Sequence, residues 1–212
     1  MARKQFFLTT FVVVSLMILL FGCGATSTSD PSIVWSDDFE DGDTQGWEHD
    51  PAMNISVNKG ALATGLDIGG TTNHESRTSS GTWSFDLFFP EGKLTVYDIC
   101  MSCDDAFVSG CGIRVRNGFK SQISGQVLDN RILQTNINQV TLDNPLTGWN
   151  HFDYTRDDAG NSRIFINGEF ILEYQDALTF SPRWFSIIAS QAGPGLDNLV
   201  VRNQVLDIPQ NQ

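Results

Sequence analysis

The sequence predicts an all-β domain folded as an antiparallel two-sheet sandwich. Segments in which apolar and polar side chains alternate recur about every ten residues beyond the N-terminal leader. Gly, Asn, Asp or Pro residues separate these segments, and no window among them carries a convincing helical period. Because a dozen strands leave few residues for crossover helices, antiparallel pairing is favoured over a parallel sheet.

The candidate strands are assigned by this alternation and follow one another along the chain. They are residues 53–57, 60–66, 82–89, 94–101, 112–117, 121–127, 132–138, 149–156, 162–166, 169–174, 184–190 and 197–203. The clearest group is a three-stranded meander between Trp149 and Tyr174. Its two turns are "RDDAGN" and Asn167-Gly168, and the second has the composition of a type I′ turn.

The N-terminal leader has the pattern of an export signal. Arg3 and Lys4 precede an apolar run over residues 6–21. The run is shorter than the roughly 20 residues of a spanning helix and lacks a basic stop-transfer flank. Its end, Leu20-Phe21-Gly22-Cys23, resembles the lipobox of bacterial lipoproteins, which implies that Cys23 becomes the lipid-modified first residue of the mature chain. An uncleaved helix and a cleaved, unanchored protein are the alternatives.

The chain therefore divides into four parts. We assign residues 1–22 to a lipoprotein signal peptide, 23–32 to a flexible tether, 33–204 to the β-sandwich domain and 205–212 to a C-terminal tail. The tether, with "GATSTSDPS" after Cys23, contains only small and polar residues and has nothing to bury. It spaces the domain from the membrane.

The charge of the mature chain excludes one class of partner. Without Arg3 and Lys4, eleven basic residues stand against 25 acidic ones, a net charge of −14. Such a surface repels phosphate backbones and anionic headgroups, so we expect no nucleic-acid partner. Contact with a membrane must then come from the lipid on Cys23.

Three stretches together resemble a known fold family. "DDFEDGDTQGW" near the start of the domain, "GWNHFDYTRDDAGNSRIFINGEFILE" as a late meander and a closing "GPGLDNLVV" are similar to the concanavalin A-like, laminin G-like jelly roll of bacterial surface proteins. The resemblance implies two curved antiparallel sheets with a concave face that binds glycans or other surface ligands. It implies a carbohydrate partner. The lipobox implies an extracytoplasmic, lipid-anchored place in the cell envelope, and Gly24 after Cys23, where an aspartate often retains lipoproteins at the inner membrane, favours the outer membrane or cell surface.

The same resemblance implies a structural calcium ion. Residues 36–47 hold five carboxylates and no basic residue. In jelly rolls of this kind the first and last strands lie side by side, and calcium often joins the opening loop to the closing strand, which selects Glu40 and Asp197. Strict alternation puts Asp197 on the face of Leu199 and Val201, where a carboxylate needs a solvated strand end, a cation or a hydrogen-bond partner. A solvated acidic loop is the alternative.

We expect no catalytic residues. Retaining glycosidases need two carboxyl groups about 5 Å apart. The laminarinase-type enzymes of the resembling fold carry them as Glu-x-Asp-x-Glu, or with one extra residue before the second Glu, and this chain has neither pattern. The alternatives are a glycan-active hydrolase or lyase with carboxylates from separate strands, and a structural envelope protein without a small ligand.

Three cysteines remain once Cys23 is lipidated. An exported chain meets oxidising conditions, so a disulfide is expected. Alternation puts Cys103 and Cys111 on the core side of their strands, which predicts a Cys103–Cys111 bond across a hairpin while Cys100 points away. A bulge would select Cys100 instead, and a redox Cys-x-x-Cys pair or a zinc site are further alternatives.

Four side chains are candidates for ligand binding. Arg114 and Arg116 point away from the core side of their strand, which in the resembling fold is commonly the concave side. His151 and Asp153 also share a face of their strand. We predict that Arg114, Arg116, His151 and Asp153 line one binding face, although solvated ion pairs would explain the arginines equally.

Overall fold

Strands are the only regular elements in the described part of the chain, as the alternation predicts. The computed structural model describes residues 30–49, 55–64, 70–104, 109–129, 132–189 and 193–208. The predicted signal peptide and Cys23 lie outside these ranges. Among the described residues there is no helix long and apolar enough to span a bilayer.

Fifteen strands are numbered in chain order within the described ranges. They are β1 (Ile33–Asp37), β2 (Trp47–His49), β3 (Ile55–Val57), β4 (Leu62–Thr64), β5 (Gly70–Glu75), β6 (Gly81–Phe89), β7 (Thr95–Asp104), β8 (Gly110–Asn117), β9 (Ser121–Asp129), β10 (Ile132–Thr141), β11 (Gly148–Arg156), β12 (Asn161–Ile166), β13 (Glu169–Gln175), β14 (Pro182–Ala189) and β15 (Gly193–Arg202).

The strands form two sheets with antiparallel pairing throughout. The eight-stranded sheet has the order β13-β12-β11-β6-β15-β4-β3, with β1 also paired to β15. The seven-stranded sheet has the order β10-β9-β8-β7-β14-β5-β2. Non-consecutive neighbours such as β6 and β15 show that the chain repeatedly crosses between the sheets. The predicted antiparallel sandwich is confirmed.

The meander between Trp149 and Tyr174 is confirmed as β11, β12 and β13. Asn167 and Gly168 have φ of 53° and 79°, which a type I′ turn requires at both central positions. At the other turn the Asp157 carboxylate accepts hydrogen bonds from the backbone N–H groups of Ala159 and Asn161. Both turns therefore follow directly from their sequences.

The core lies between the sheets and is built from the inward half of each alternation. Phe85 of β6 and Phe152 of β11 stack with ring centroids 5.7 Å apart, and Phe185 of the other sheet approaches Phe85 edge-on at 6.5 Å. All three rings are fully buried. Each such ring contributes roughly 2–3 kcal/mol by leaving water, so aromatic packing between sheets holds the sandwich closed.

The first and last strands of the domain are neighbours, as expected. β1 pairs with β15 so that Trp35 lies opposite Val201 and Asp37 opposite Leu199. The opening acidic loop therefore begins beside the closing strand.

The alternation misses β1, β2 and β5. β5 reads "GTTNHE", and its inward Thr72 is a fully buried polar residue. β2 has only three residues, and β1 has only five. Short or polar strands carry too little apolar periodicity to be recognised. They form by pairing, β1 with β15, β5 with β14 and β2 with β5.

Candidate ligand-binding groove

The outward face of the seven-stranded sheet carries a groove with a volume of about 400 Å³. It crosses five adjacent strands, β5, β14, β7, β8 and β9. Alternation creates it, because Tyr97 and Ile99 of β7 point into the core and turn Asp98 outward. Its lining includes Asn73, Asp98, Cys100, Cys103, Gln126 and Ile188.

Asp98 is the charged centre of the groove. Arg114 on the neighbouring strand donates from Nε to Oδ1 at 2.6 Å and from Nη2 to Oδ2 at 2.7 Å. Gln126 Nε2 also donates to Oδ1. The bonds to Asp98 raise the pKa of Arg114 above its usual value. Both carboxylate oxygens are therefore engaged, and the carboxylate has a fixed orientation and a neutralised charge.

A disulfide between Cys100 and Cys103 lies along the same strand, beside Gly110. The predicted Cys103–Cys111 bond is wrong. A bulge in β7 between Cys100 and Ser102 adds one residue, so Cys100 and Cys103 come to one side. The observed bond joins the two cysteines of the Cys-x-x-Cys alternative, whereas the bulge alternative would have paired Cys100 with Cys111.

The remaining cysteine belongs to the interior. Cys111 is buried and unpaired, and its thiol interacts with Tyr154 and Arg156. Burial raises the pKa of Cys111 to about 12. The thiol is therefore protonated and unreactive at neutral pH.

The rest of the groove mixes apolar surface with a few polar groups. Ile188 exposes its side chain there, and the Asn73 Oδ1 atom is buried without a hydrogen-bond partner among the described residues. This oxygen is therefore available to accept a hydrogen bond from a ligand. Largely apolar concave surfaces with a few fixed polar groups are the usual form of small-ligand sites.

The four predicted ligand-binding residues do not form one face. Arg114 and Arg116 lie on β8 of the seven-stranded sheet, Arg114 bonded to Asp98 and Arg116 exposed nearer the strand end. His151 and Asp153 lie on β11 of the eight-stranded sheet. Both pairs point outward, but a sandwich has two outward faces, and the prediction of a single face is wrong.

His151 lies between two carboxylates on the eight-stranded sheet. Its Nδ1 is 2.7 Å from Asp86 Oδ1, and its Nε2 is 3.4 Å from Asp153 Oδ1. Hydrogen bonding to Asp153 and then to Asp86 raises the pKa of His151 to about 9, although burial opposes it. Burial also opposes the charge of Asp153, but bonds from His151 and Ser84 outweigh it and lower the pKa. The imidazolium is therefore present at neutral pH.

The closing strand contains a bulge at Asn198, which changes the prediction for Asp197. Asn198 has a φ of 49°, and the register against β6 shifts after Asp197. Leu196 and Leu199 are therefore both buried in the core, and Asp197 turns outward opposite Asp86. The expectation that Asp197 shares a face with Leu199 is wrong, because one inserted residue reverses the alternation.

Glu40 and Asp197 are nevertheless near enough for their charges to interact. The pKa of Asp197 is raised by partial burial and then by the charges of Asp86, Glu40 and Asp38. In the described part of the chain, no group of three or more His, Cys, Asp or Glu side chains is placed to hold a metal ion. Calcium takes roughly six to eight oxygens, so these two carboxylates fit it only with backbone carbonyl oxygens and water as further ligands.

Sequence reasoning missed the residues that line the groove. The signal for Asp98 was present, since it alternates with Tyr97 and Ile99 as Arg114 alternates with Ile113. Aligning β7 and β8 as the two strands of one hairpin would have placed Asp98 opposite Arg114, as the observed register does. Asn73 had no such signal, because β5 itself was missed.

Comparison with known proteins establishes the fold. No family model and no curated protein matches this chain. The carbohydrate-binding module CBM66 from Bacillus subtilis is similar with a TM-score of 0.54 and 13% identity, over 76% of this chain and 93% of its own. The beta-glucanase of Bacillus licheniformis has a TM-score of 0.58 and 8% identity, over 80% and 97% of the two chains.

A third solved structure is similar over a comparable length. LamA from Z. galactanivorans, in complex with laminaritriose and laminaritetraose, has a TM-score of 0.61 and 12% identity over 81% of this chain and 99% of its own. Identities this low show shared architecture alone. The fold is the concanavalin A-like jelly roll, as the sequence resemblance implies.

Proposed function

We propose that this chain is a carbohydrate-binding module whose groove on the seven-stranded sheet binds a glycan. The groove itself is the observation that supports the proposal. It offers the exposed Ile188 to the apolar face of a sugar ring and polar groups at Asp98, Gln126 and Asn73 to its hydroxyls. Solved structures of the same fold include a carbohydrate-binding module and a protein in complex with laminari-oligosaccharides.

The lining of the groove favours binding over hydrolysis. Asp98 is the single carboxylate among the described lining residues, and Arg114 already pairs with it. Asp98, Cys100 and Cys103 have the spacing of the three acidic residues in Glu-x-Asp-x-x-Glu. Cysteines therefore stand at the second and third of these positions, and their disulfide offers no proton and no carboxylate. A retaining hydrolase needs a second carboxyl about 5 Å from the first. The alternative is a glycan-active hydrolase, since solved structures of this fold include a beta-glucanase.

A panel of neutral glucans that includes laminari-oligosaccharides tests the proposal by calorimetry. Ile188→Arg puts a long charged side chain into the groove, and we expect at least about a tenfold loss of affinity, or 1.4 kcal/mol. Val34→Arg is the matched control, because Val34 is an exposed β-branched residue on β1 of the other sheet. Equal affinity in both variants, or no binding to this panel and to acidic polysaccharides alike, would refute the proposal. Release of new reducing ends would support the hydrolase instead.

We also propose that a lipid on Cys23 holds the domain in the cell envelope, at the outer membrane or the cell surface. The leader pattern supports this, and β1 begins at Ile33, soon after the polar tether. Cys23→Ser should move the protein from the membrane fraction to the soluble fraction. Retention of the variant in the membrane fraction would contradict lipid anchoring.

We further propose that Glu40 and Asp197 bind a structural calcium ion together with backbone oxygens. The support is electrostatic, because the carboxylates of Asp86, Glu40 and Asp38 repel that of Asp197, and a cation would relieve this repulsion. Calcium at a hundredfold excess over its Kd should stabilise the domain by about 2.7 kcal/mol. Thermal melting with calcium and with chelator measures this, and Glu40→Gln should remove the difference. A wild-type melting temperature that is the same with calcium and with chelator would disprove the site.

A further inference from the structure

Two neighbouring turns form a second cleft on the groove side of the seven-stranded sheet. The cleft has a volume of about 640 Å³ and lies between the β6–β7 turn and the β8–β9 turn. We call it the basic cleft and define it by Lys93, Leu94, Arg116, Phe119, Lys120 and Gln122.

The basic cleft concentrates positive charge in an acidic protein. Lys93, Arg116 and Lys120 form no ion pair within 4.0 Å in the described ranges, whereas Arg114 and Arg156, like three further arginines, have carboxylate partners. In a mature chain with net charge −14 such cations would be expected to find carboxylates. Their grouping at one end of one sheet leaves a local positive field toward solvent.

The rim of the cleft is apolar. Phe119 is fully exposed at the β8–β9 turn, and Leu94 is exposed on the neighbouring turn. An exposed phenylalanine beside cations presents an aromatic face on which a sugar ring can stack while its substituents reach the charges. The combination of aromatic face, cations and the Gln122 amide matches a sugar that carries anionic groups.

The basic cleft and the groove belong to one continuous surface. Arg116 lies four residues beyond Gly112 of the groove on β8, a distance of about 13 Å at 3.3 Å per residue. Between them, Arg114 neutralises Asp98, so an anionic chain crossing the groove meets no unpaired carboxylate at this position. A single extended ligand can therefore contact both places.

The point at which the chain enters the domain and the basic cleft lie at opposite ends of β6. The domain begins at Ile33, which pairs with Arg202, and Arg202 pairs with Thr82 near the start of β6. The β6–β7 turn of the cleft follows Phe89 at the other end of β6, about 25 Å away.

We infer that the glycan bound in the groove is an acidic polysaccharide, whose carboxylate or sulfate groups bind Lys93, Arg116 and Lys120 while a ring stacks on Phe119. This inference rests on the proposed carbohydrate binding and names its ligand class. The attraction is partly exposed to solvent, so it weakens as salt rises.

Binding of polygalacturonate, dextran sulfate and neutral dextran at about 50 mM and about 300 mM NaCl tests the inference. We expect at least one acidic polymer to bind about tenfold more tightly than dextran at low salt, and the two acidic polymers separate carboxylate from sulfate recognition. Lys93→Gln, Arg116→Gln and Lys120→Gln should each weaken acidic binding about fivefold. Lys59→Gln is the matched control and should have no effect, because Lys59 is exposed on the β3–β4 turn and forms no ion pair with any described residue.

Failure of this inference is distinguishable from failure of the proposed function. Equal affinity for acidic and neutral polymers, with Ile188→Arg still lowering both, would overturn the acidic ligand and leave carbohydrate binding in place. Binding to phosphatidylglycerol vesicles but to none of the polymers would overturn it in favour of a lipid surface. Because Phe119 is fully exposed, Phe119→Ser should retain the fold and weaken acidic binding alone, and unchanged binding would count against the stacking.

Discussion

Two arginine–aspartate pairs in this molecule have similar geometry and opposite surroundings. Arg156 donates to Asp176 from Nε at 3.0 Å and from Nη2 at 2.6 Å, with side chains that are 5% and 0% exposed. Arg114 donates to Asp98 in the same two-point way, but these side chains are 32% and 19% exposed. Each pair also lies near cysteine, the first beside the Cys111 thiol and the second beside a disulfide in the groove.

The buried pair is part of a closed polar network. Burial opposes the charge of Arg156, but the hydrogen bonds that it donates to Asp176 outweigh this and raise its pKa. Arg156 Nη1 also donates to the Ser79 carbonyl at 2.6 Å. Burial raises the pKa of Tyr154 and Tyr174 well above the usual range, and their hydroxyls bond to one another. Charges desolvated to this degree persist only when their partners are complete.

The groove pair is solvated and therefore contributes little to stability. Water screens the Arg114–Asp98 attraction, and such pairs are typically worth about 0–1 kcal/mol. The pair instead orients the Asp98 carboxylate, which Arg114 and Gln126 hold in place beneath the open groove. The difference between the two regions shows that accessibility, and not residue type, separates a pair that maintains the fold from one available to a ligand.

The largest effect that tests this comparison is expected for Asp176→Asn. Removal of one partner leaves Arg156 as an uncompensated buried charge, so we expect the free energy of unfolding to fall by about 3–5 kcal/mol. The matched variant Asp98→Asn should lower it by less than about 1 kcal/mol. Urea denaturation of both measures the difference, and equal losses would mean that burial does not distinguish the pairs.

A smaller effect is expected from loss of the groove disulfide. Cys100 and Cys103 are three residues apart, and a loop this short gives about 2 kcal/mol by the chain-entropy relation. The Cys100→Ser, Cys103→Ser double variant should lose this amount and keep its fold, because the core lies on the other side of the sheet. Reductant should not destabilise the double variant any further. Complete unfolding on reduction would show that the groove region supports the fold as the buried network does.

Much of this fold could be predicted from the sequence, because one physical rule governs it. Inward apolar and outward polar side chains must alternate in a two-layer sandwich, and the meander between Trp149 and Tyr174 is readable for that reason. β5 could not be predicted in this way, since Thr72 is polar although it faces the core. Its strand forms by pairing with β2 and β14.

The site was less predictable, because single residues reverse the alternation. The bulge after Cys100 selects Cys103 as its disulfide partner, and the bulge at Asn198 turns Asp197 outward. Alternation also says only that a side chain points away from the core. It does not say which sheet the strand joins, so Arg116 and His151 were assigned to one face although they lie on opposite ones.

His151 provides the smallest test, because its ion pairs are as accessible as those of the groove. Its pKa of about 9 in the folded protein lies above the ordinary 6.5, so its stabilisation is full below about pH 6.5 and is lost as pH rises through 9. The side chain is 45% exposed, and after discounting for solvent screening we expect about 1 kcal/mol. The difference in unfolding free energy between the wild type and His151→Gln should fall from about 1 kcal/mol at pH 6 to near zero at pH 10. A difference that grows with pH would have the wrong sign, and one of several kcal/mol would show that an accessible pair can match the buried Arg156–Asp176 pair.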